Sequence, residues 1–402
     1  MVTLLTNVAL DDNATGTQTG TVNEPSVAAS SSTVFVTGNW FASRSTNRGL
    51  TWTPLDPFTE FPSSPSRFCC DQVVLYSKKH RRWIWFLQYE TDNTGSNIAR
   101  IATSRTGAPS TWTWWDIRPS DLDPTWTGNW FDFPDVAETV EHLWISCNVF
   151  RRDEWKRSVV IRIPWTDLDA SDPLQHQLWS SPTLAAPRLV SGATDTMWFG
   201  TVALTAGALE VFSWSDSSST LSNATVNVAP WNARNYLSAG PGGAQWLNRA
   251  DDRITGAWLS AGTVGFAWSA ASRPGRPHPY IRCVRLDTSD LHVVDEPDLW
   301  SENGAWAYPA IAPNLQGDAG MTAFFGGPTH PAHAVGRLDS ATVKWRMTIT
   351  ATSTHGPSKG KWGDYLTCRP HPTKRTAWIA SGFTLNGGND RQFVEPRYVV
   401  FR

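Results

Sequence analysis

Acidic, basic and hydroxyl side chains recur at the points where short apolar runs begin along this chain. In chain order, the candidates for proton transfer or charge recognition are Glu24, Arg67, Asp71, Asp132, Arg188, Arg249, Tyr308, His355, Asp364 and Tyr365. A pair of carboxyl groups can act as acid and base, and the planar guanidinium of arginine binds a carboxylate through two hydrogen bonds. These residue types therefore predict acid–base chemistry beside a bound carboxylate.

Tryptophan is the second type of candidate, because the chain contains 24 of them among 402 residues. Most must fill the core, since large rings dominate burial, but a flat indole face also stacks well on a sugar ring. Four tryptophans lie in or near the same recurring segments as the polar candidates and are predicted to bind sugar: Trp130, Trp246, Trp306 and Trp362.

Three of the acidic residues have an alternative use. Asp71, Asp132 and Asp364 could together hold a calcium ion, because oxygen ligands suit hard cations. Each carboxylate could instead accept hydrogen bonds from neighbouring strand N–H groups, as buried polar groups must. The acid–base chemistry itself requires no cofactor.

The elements that position these residues are indicated by a repeat. Gly-x-Trp introduces three segments, at Gly128, Gly304 and Gly360, and each leads into a short strand-like run. Self-similarity at a period of about fifty residues, in a chain of short strands, is typical of a radial β-propeller. The inner strands of a propeller begin around one axis, so the candidate residues should converge at one end of a central channel.

We therefore predict an all-β, single-domain protein over residues 1–402, with seven four-stranded antiparallel blades. The last blade lacks a fourth strand, and Val2–Leu5 is a strand without a blade, so we expect the N-terminal strand to close the ring and remove exposed sheet edges. Six blades is the alternative, because blade five, which begins near Ile254, is the least regular.

Composition excludes several classes of protein. The net charge is −2 with both signs interspersed, so neither nucleic acid nor an anionic membrane surface is an expected partner. No apolar stretch is long enough to span a membrane. The few charged residues and many tryptophans are typical of secreted carbohydrate-active proteins, and we expect a secreted monomer whose signal peptide has been removed.

The five cysteines do not form a disulfide framework or a CxxC zinc site. Cys69 and Cys70 are adjacent and precede Asp71 directly. Two free thiols that pack as small apolar groups are the favoured interpretation. A vicinal disulfide is the alternative, and it would form a rigid apolar plate at the channel mouth.

The segment from Ser45 to Trp52, Ser-Thr-Asn-Arg-Gly-Leu-Thr-Trp, resembles the Asp-box of sialidase-like propellers, with Asn47 in place of the aspartate. The resemblance implies a structural turn between the third and fourth strands of a blade, with Gly49 at positive φ. In architecture and composition the chain is also similar to seven-bladed polysaccharide lyases, including those that act on rhamnosyl-glucuronate ends.

These observations predict an enzyme that cleaves an acidic, uronate-containing polysaccharide or oligosaccharide, and β-elimination is favoured. Arg67, Arg188 and Arg249 would hold the carboxylate, while Tyr308, Tyr365 or His355 would move the proton. The first alternative is a sialidase-like hydrolase in which Asp132 or Asp364 is the acid, and Glu24 activates a tyrosine. The second is a lectin, which should repeat near-identical pockets between its blades.

Overall fold

Short β-branched and aromatic runs, bounded by glycine, proline and polar residues, form nearly all of the regular structure. The computed structural model describes residues 2–20, 23–62, 64, 66–105, 107–170 and 173–402. Within these residues the strands pair into seven antiparallel sheets of four strands each. The predicted seven-bladed propeller is thus confirmed, and the six-bladed alternative is wrong.

Each blade is a meander whose first strand lies innermost. Blades one to four comprise β2–β5 (Ser26–Ala29, Val34–Gly38, Phe41–Ser45, Thr53–Leu55), β6–β9 (Phe68–Ser77, Arg82–Tyr89, Ala99–Ser104, Thr113–Ile117), β10–β13 (Trp130–Glu138, His142–Arg151, Glu154–Pro164, Gln177–Ser181) and β14–β17 (Arg188–Leu189, Thr196–Val202, Ala208–Ser215, Ser222–Asn227). Blades five and six comprise β18–β21 (Ile254–Ser260, Thr263–Ala270, Tyr280–Asp287, Val293–Asp295) and β22–β25 (Ala305–Pro313, Ala319–Gly326, Ala332–Asp339, Lys344–Thr352).

Blade seven is built from both ends of the chain. It comprises β26 (Thr367–Pro370), β27 (Trp378–Leu385), β28 (Val394–Phe401) and, at its outer edge, β1 (Leu4–Ala9). Strand β1 runs antiparallel to β28, with Leu4 opposite Phe401 and Ala9 opposite Arg397. The predicted closure by the N-terminal strand is confirmed, and it covers an edge that would otherwise be free to pair.

The inner strands β2, β6, β10, β14, β18, β22 and β26 contact one another in that order around the ring, and β26 returns to β2. Because every blade starts at its inner strand, all seven inner strands run in the same direction and begin at one end of the channel. We call this end the mouth. The helical segments are short: α1 (Asp12–Thr15), α2 (Pro119–Leu122), α3 (Trp165–Ala170) and the 3₁₀ turns Pro124–Trp126, Pro241–Gly243 and Arg391–Phe393. In the described residues, no helix has the length and apolar character needed to cross a bilayer.

The backbone is kinked at the mouth where four of the seven blades begin. Four residues that directly precede a proline have positive φ: Glu24 (47°), Phe133 (54°), Ala186 (50°) and Tyr308 (58°). This region is unfavourable for residues other than glycine, and a following proline disfavours it further. At Phe133 and Tyr308 the kink coincides with a shift in strand register, and such bulges redirect side chains.

The Asp-box-like segment forms the structural turn expected of it, between β4 and β5. Gly49 has a φ of 89° and donates its N–H to Ser45 Oγ at 2.8 Å, while Asn47 Oδ1 accepts the N–H of Thr51 at 2.9 Å. Trp52 packs edge-on against Tyr398 of blade seven, with ring centroids 5.7 Å apart. Asn47 therefore fulfils the bonding role of the missing aspartate.

Candidate active site

Four acidic side chains from consecutive blades meet at the mouth of the channel. Glu24 precedes β2, Asp71 and Asp132 lie in β6 and β10, and Asp364 lies in the loop before β26. Glu24 is 3 % exposed, Asp71 and Asp364 are each 7 % exposed, and Asp132 is half-buried. Their charges act on one another's pKa values, so they form one electrostatic unit. We call it the carboxylate ring.

Glu24 and Asp71 form a pair within this ring. Burial and the neighbouring Asp71 raise the pKa of Glu24 well above its ordinary value. Burial and the charge of Asp132 raise the pKa of Asp71 to about 7, although the hydrogen bond with Glu24 opposes the shift. Asn39 Nδ2 donates a hydrogen bond to Glu24 Oε2 at 2.8 Å. The pair therefore retains a proton at neutral pH, and Glu24 donates it to Asp71.

Asp132 is held in a more polar setting. Gln88 Nε2 donates to Asp132 Oδ1 at 3.1 Å, and the backbone N–H of Phe133 also stabilises the charged form. Burial still outweighs these bonds, so the pKa of Asp132 lies above its ordinary value. Asp132 is nevertheless the most exposed member of the carboxylate ring, and Gln88 lines a cleft that opens to solvent.

Asp364 is the ionised member. Arg249 Nε donates to Asp364 Oδ1 at 3.0 Å, a second Arg249 nitrogen bonds Oδ2, and Arg253 Nη2 donates to Oδ1 at 3.2 Å. Burial opposes ionisation, but the hydrogen bond from Arg249 and the charges of both arginines outweigh it and lower the pKa of Asp364. The two guanidinium groups are thereby committed to a protein carboxylate.

Aromatic rings form the floor beneath these charges. The guanidinium carbon of Arg253 lies 4.4 Å from the ring centre of Phe133, and Phe133 packs edge-on against Tyr365 with centroids 5.9 Å apart. The hydroxyl groups of Tyr365 and Tyr308 are buried without a hydrogen-bond partner among the described residues. Burial raises the pKa of both phenols well above the ordinary value, and the surrounding acidic groups add to this.

The remaining charged candidates lie elsewhere. Arg188 pairs with Asp135 at 3.2 Å and lines a narrow cavity of 40 Å³ within the channel. Arg67 is 81 % exposed and pairs with Glu90 at 3.5 Å. His355 is exposed, and its ring stacks on His330 with centroids 6.2 Å apart. The structure thus brings Arg249 alone of the predicted arginines to the carboxylate ring, and it does not bring His355 there.

Three of the four tryptophans predicted to stack on sugar belong to the core. Trp246 and Trp362 are fully buried and Trp306 is 8 % exposed, so none offers a ring face to solvent. Trp362 stacks instead on Phe383, with centroids 4.7 Å apart. The prediction of a stacking role is wrong for these residues, because their rings pack inside the hydrophobic core.

Trp130 differs, since it lines an open cleft of 790 Å³ between blades two and three. The same cleft is lined by Cys69, Gln88 and Glu90, so it adjoins the carboxylate ring. Trp130 Nε1 donates to the carbonyl of Arg152 at 2.6 Å, and its ring stacks on Phe150 with centroids 5.0 Å apart. These contacts hold a half-buried indole at the cleft wall, where stacking is geometrically possible.

Cys69 and Cys70 are joined by a disulfide, whereas Cys147, Cys283 and Cys368 are free and buried. The prediction that Cys69 and Cys70 are two free thiols is wrong, because their sulfur atoms are bonded to each other. Cys69 lines the cleft of Trp130 and also a second cleft next to Trp40. The disulfide thus lies where the two clefts meet, at the edge of the mouth beside Asp71.

The calcium site at Asp71, Asp132 and Asp364 stays a prediction. Two arginines, Arg249 and Arg253, already bind the Asp364 carboxylate. Among the described residues, the group of three acidic or histidine side chains whose ligating atoms all lie within 4.8 Å is Asp287, Asp290 and His292, on the surface of blade five. In that group Asp290 accepts a hydrogen bond from His292, which explains the cluster without an ion.

Sequence reasoning missed three polar residues at the ring, namely Asn39, Gln88 and Arg253. Arg253 directly precedes the inner strand of blade five, which was a usable signal, because Arg249 was selected on the same ground. Asn39 and Gln88 come from the ends of β3 and β7, which carry no motif. Only the pairing of neighbouring strands brings them to Glu24 and Asp132.

Comparisons with known proteins give a likeness of architecture. The chain matches no protein-family model and no curated protein sequence. Among solved structures, the Dos1 propeller has a TM-score of 0.48 at 8 % identity, over 99 % of this chain and 95 % of that one. The α-L-arabinofuranosidase Arb93A from Fusarium graminearum gives 0.47 at 9 % identity, over 99 % and 97 %.

A sialidase from Trypanosoma rangeli gives a TM-score of 0.45 at 11 % identity, over 80 % of this chain and 55 % of that one. All three TM-scores lie below 0.5. The assignment of the fold therefore rests on the strand pairing described above, and no activity is transferred from these proteins on the strength of the likeness.

Proposed function

We propose that this protein is a glycoside hydrolase whose acid and base are carboxyl groups at the mouth of the channel. One observation supports this above all others: a single cluster contains a Glu24–Asp71 pair that retains a proton and a more exposed carboxylate, Asp132, whose charged form Gln88 and the backbone N–H of Phe133 stabilise. Carboxyl groups whose environments separate their pKa values are what acid–base cleavage of a glycosidic bond requires. Glu24 and Phe133 also have strained backbone conformations. Such strain tends to occur at functional sites.

Each member of the ring has a role in this scheme. The Glu24–Asp71 pair donates its proton to the glycosidic oxygen as the bond to the anomeric carbon breaks. Asp132 either removes a proton from the attacking water or attacks the anomeric carbon itself, and the stereochemistry of the product distinguishes these routes. Asp364, Arg249 and Arg253 act as positioning residues, because their mutual bonds hold Phe133 and hence the backbone next to Asp132. Trp130 stacks on a sugar ring in the adjoining cleft.

The contacts favour hydrolysis over β-elimination. Elimination needs a free cationic group to neutralise a uronate and a base to remove the adjacent proton. Arg188 and Arg249 are both paired with aspartates, and the raised pKa values of Tyr308 and Tyr365 keep both phenols protonated at neutral pH, so neither is free to accept a proton. A neutral sugar therefore fits the carboxylate ring better than a uronate does. The clefts do not support a lectin, because a lectin should repeat near-identical pockets and the linings of these clefts differ from blade to blade.

The disulfide favours action outside the cytosol. Bonds between cysteines persist in oxidising compartments and are reduced in the cytosol. Cys69–Cys70 lies at the rim, where cellular thiols could reach it. This agrees with the expectation of a secreted glycan-degrading enzyme.

The test is incubation with a panel of neutral and uronate-bearing polysaccharides, followed by product masses and ultraviolet absorbance. Hydrolysis adds one water to each cleaved bond, whereas elimination gives an unsaturated, absorbing product. We expect hydrolysis, and we expect Asp132→Asn to lower its rate by about 10²- to 10⁴-fold. Asp12→Asn, an exposed carboxylate in α1, is the matched control and should leave the rate unchanged. An absorbing product would overturn the hydrolase in favour of a lyase.

A further inference from the structure

Three clefts on the mouth face adjoin one another and form an arc. The first is the cleft of 790 Å³ that contains Trp130, and it shares Cys69 and Glu90 with a second cleft of 400 Å³ lined by Trp40. The second shares Arg391 with a third cleft of 360 Å³ in the loops of blades six and seven. A single sugar at the carboxylate ring would leave most of this arc unfilled.

Two indole rings lie along the arc on either side of the disulfide. Trp40 lines the second cleft and directly follows Asn39, which donates a hydrogen bond to Glu24 of the carboxylate ring. The Arg391 guanidinium lies 5.9 Å from the Trp40 ring, and Thr19 Oγ donates to the Arg391 carbonyl at 2.8 Å. Arg391 is thus tied by both side chain and backbone to the junction of the second and third clefts.

The third cleft carries a local excess of positive charge. Lys359, Lys361 and Arg391 line it together with one acidic residue, Asp390, and all four are exposed. None of the three cations makes an ion pair with another described residue. At the carboxylate ring, by contrast, both arginines are bound to Asp364. The three cations of the third cleft are therefore available to a ligand, whereas the two arginines of the carboxylate ring are not.

We propose that the arc is one groove for an extended glycan and that Lys359, Lys361 and Arg391 form a subsite for an anionic substituent on it. The substituent is a carboxylate or a sulfate, since lysine supplies a point charge and arginine two parallel hydrogen bonds to either group. The inference rests on the proposed function, because it takes the occupant of the groove to be a glycan. An acidic sugar would therefore be recognised at Lys359, Lys361 and Arg391, away from the carboxylate ring where the bond is cleaved.

The test measures binding rather than turnover, so that its outcome is independent of catalysis. Calorimetric titration of the Asp132→Asn protein would use gum arabic, polygalacturonate and dextran sulfate, each paired with its carboxyl-reduced or unsulfated form. We expect at least one acidic glycan to bind about tenfold more tightly than its neutral partner. Comparison of the carboxylate-bearing glycans with dextran sulfate shows whether the subsite prefers a carboxylate or a sulfate. Lys359→Ala/Lys361→Ala/Arg391→Ala should abolish that difference.

The matched control is Lys344→Ala/Lys374→Ala/Arg375→Ala, which removes the same charge from exposed positions outside the arc. It should preserve the preference for the acidic glycan. The subsite is overturned if both triple variants weaken binding equally, if the first one keeps the preference, or if no acidic glycan binds better than its neutral partner. Charge-dependent binding without hydrolysis by the unsubstituted protein would retain the subsite and overturn the hydrolase.

Discussion

Glu24 and Asp71 share a side-chain hydrogen bond across the boundary between blades one and two. Two carboxyl groups can share a hydrogen bond only when one of them holds a proton, since two negative charges at contact repel. The two groups therefore titrate as a pair. Because they are buried at the mouth, their protonation bears on both stability and activity.

The first prediction concerns pH. The pKa of Asp71 is raised to about 7, so its contribution to stability is present below the ordinary carboxyl pKa and is lost as pH rises through 7. Asp71→Asn removes this loss, and we expect it to raise Tm at pH 8 by about 2–4 °C or more while changing it little at pH 4. Thermal unfolding between pH 4 and 8 measures the effect.

Asp12→Asn serves as the control here too and should follow the unsubstituted protein at every pH. Identical pH profiles for Asp71→Asn and the unsubstituted protein would contradict a raised pKa at Asp71. In activity assays, the rate of the unsubstituted enzyme should fall at alkaline pH, where the Glu24–Asp71 pair loses the proton that it donates to the glycosidic oxygen.

The second prediction separates a carboxylate mechanism from one with a tyrosine nucleophile. The Tyr365 hydroxyl is buried without a hydrogen-bond partner, and its pKa is raised. We expect Tyr365→Phe to keep kcat within about threefold and to stabilise the fold by about 1 kcal/mol, because an unpaired buried hydroxyl is removed. Steady-state kinetics and denaturant unfolding measure the two effects. A loss of 100-fold or more, with a glycosyl adduct on Tyr365, would support the sialidase-like alternative instead.

The third prediction concerns ring closure. Deleting residues 1–10 removes β1, together with the buried side chains of Val2 and Leu10. Burial of each side chain contributes about 1.5–3 kcal/mol to the free energy of unfolding. The deletion also exposes the edge of β28, so we expect Tm to fall by about 5–10 °C. A synthetic peptide of residues 1–10, added in excess, should restore part of the loss. Unchanged Tm after the deletion would show that β1 does not close the blade.

The fourth prediction concerns the disulfide. Under denaturing, non-reducing conditions we expect three titratable thiols, from Cys147, Cys283 and Cys368, and five after reduction. Cys69→Ala/Cys70→Ala should give three thiols under both conditions. A count of five without reductant would mean that the bond does not form.

Several features could be predicted from the sequence alone. The recurring strand starts indicated seven blades and the mouth at which Glu24, Asp71, Asp132 and Asp364 gather, because a meander that always begins at its inner strand brings equivalent positions to one end of the axis. The unpaired strand at Val2–Leu5 indicated closure for a similar reason, since an open sheet edge is unfavourable. These inferences depend on chain order and periodicity, which a sequence contains in full.

The tertiary structure decided which way each side chain turns and what it meets there. Trp130 and Trp362 follow the same Gly-x-Trp motif, yet one ring lines a cleft and the other is fully buried against Phe383. Arg249 could have bound a substrate carboxylate, but Asp364 from another blade occupies its guanidinium. Partnership of this kind depends on distances between residues more than one hundred positions apart, and no local pattern encodes them.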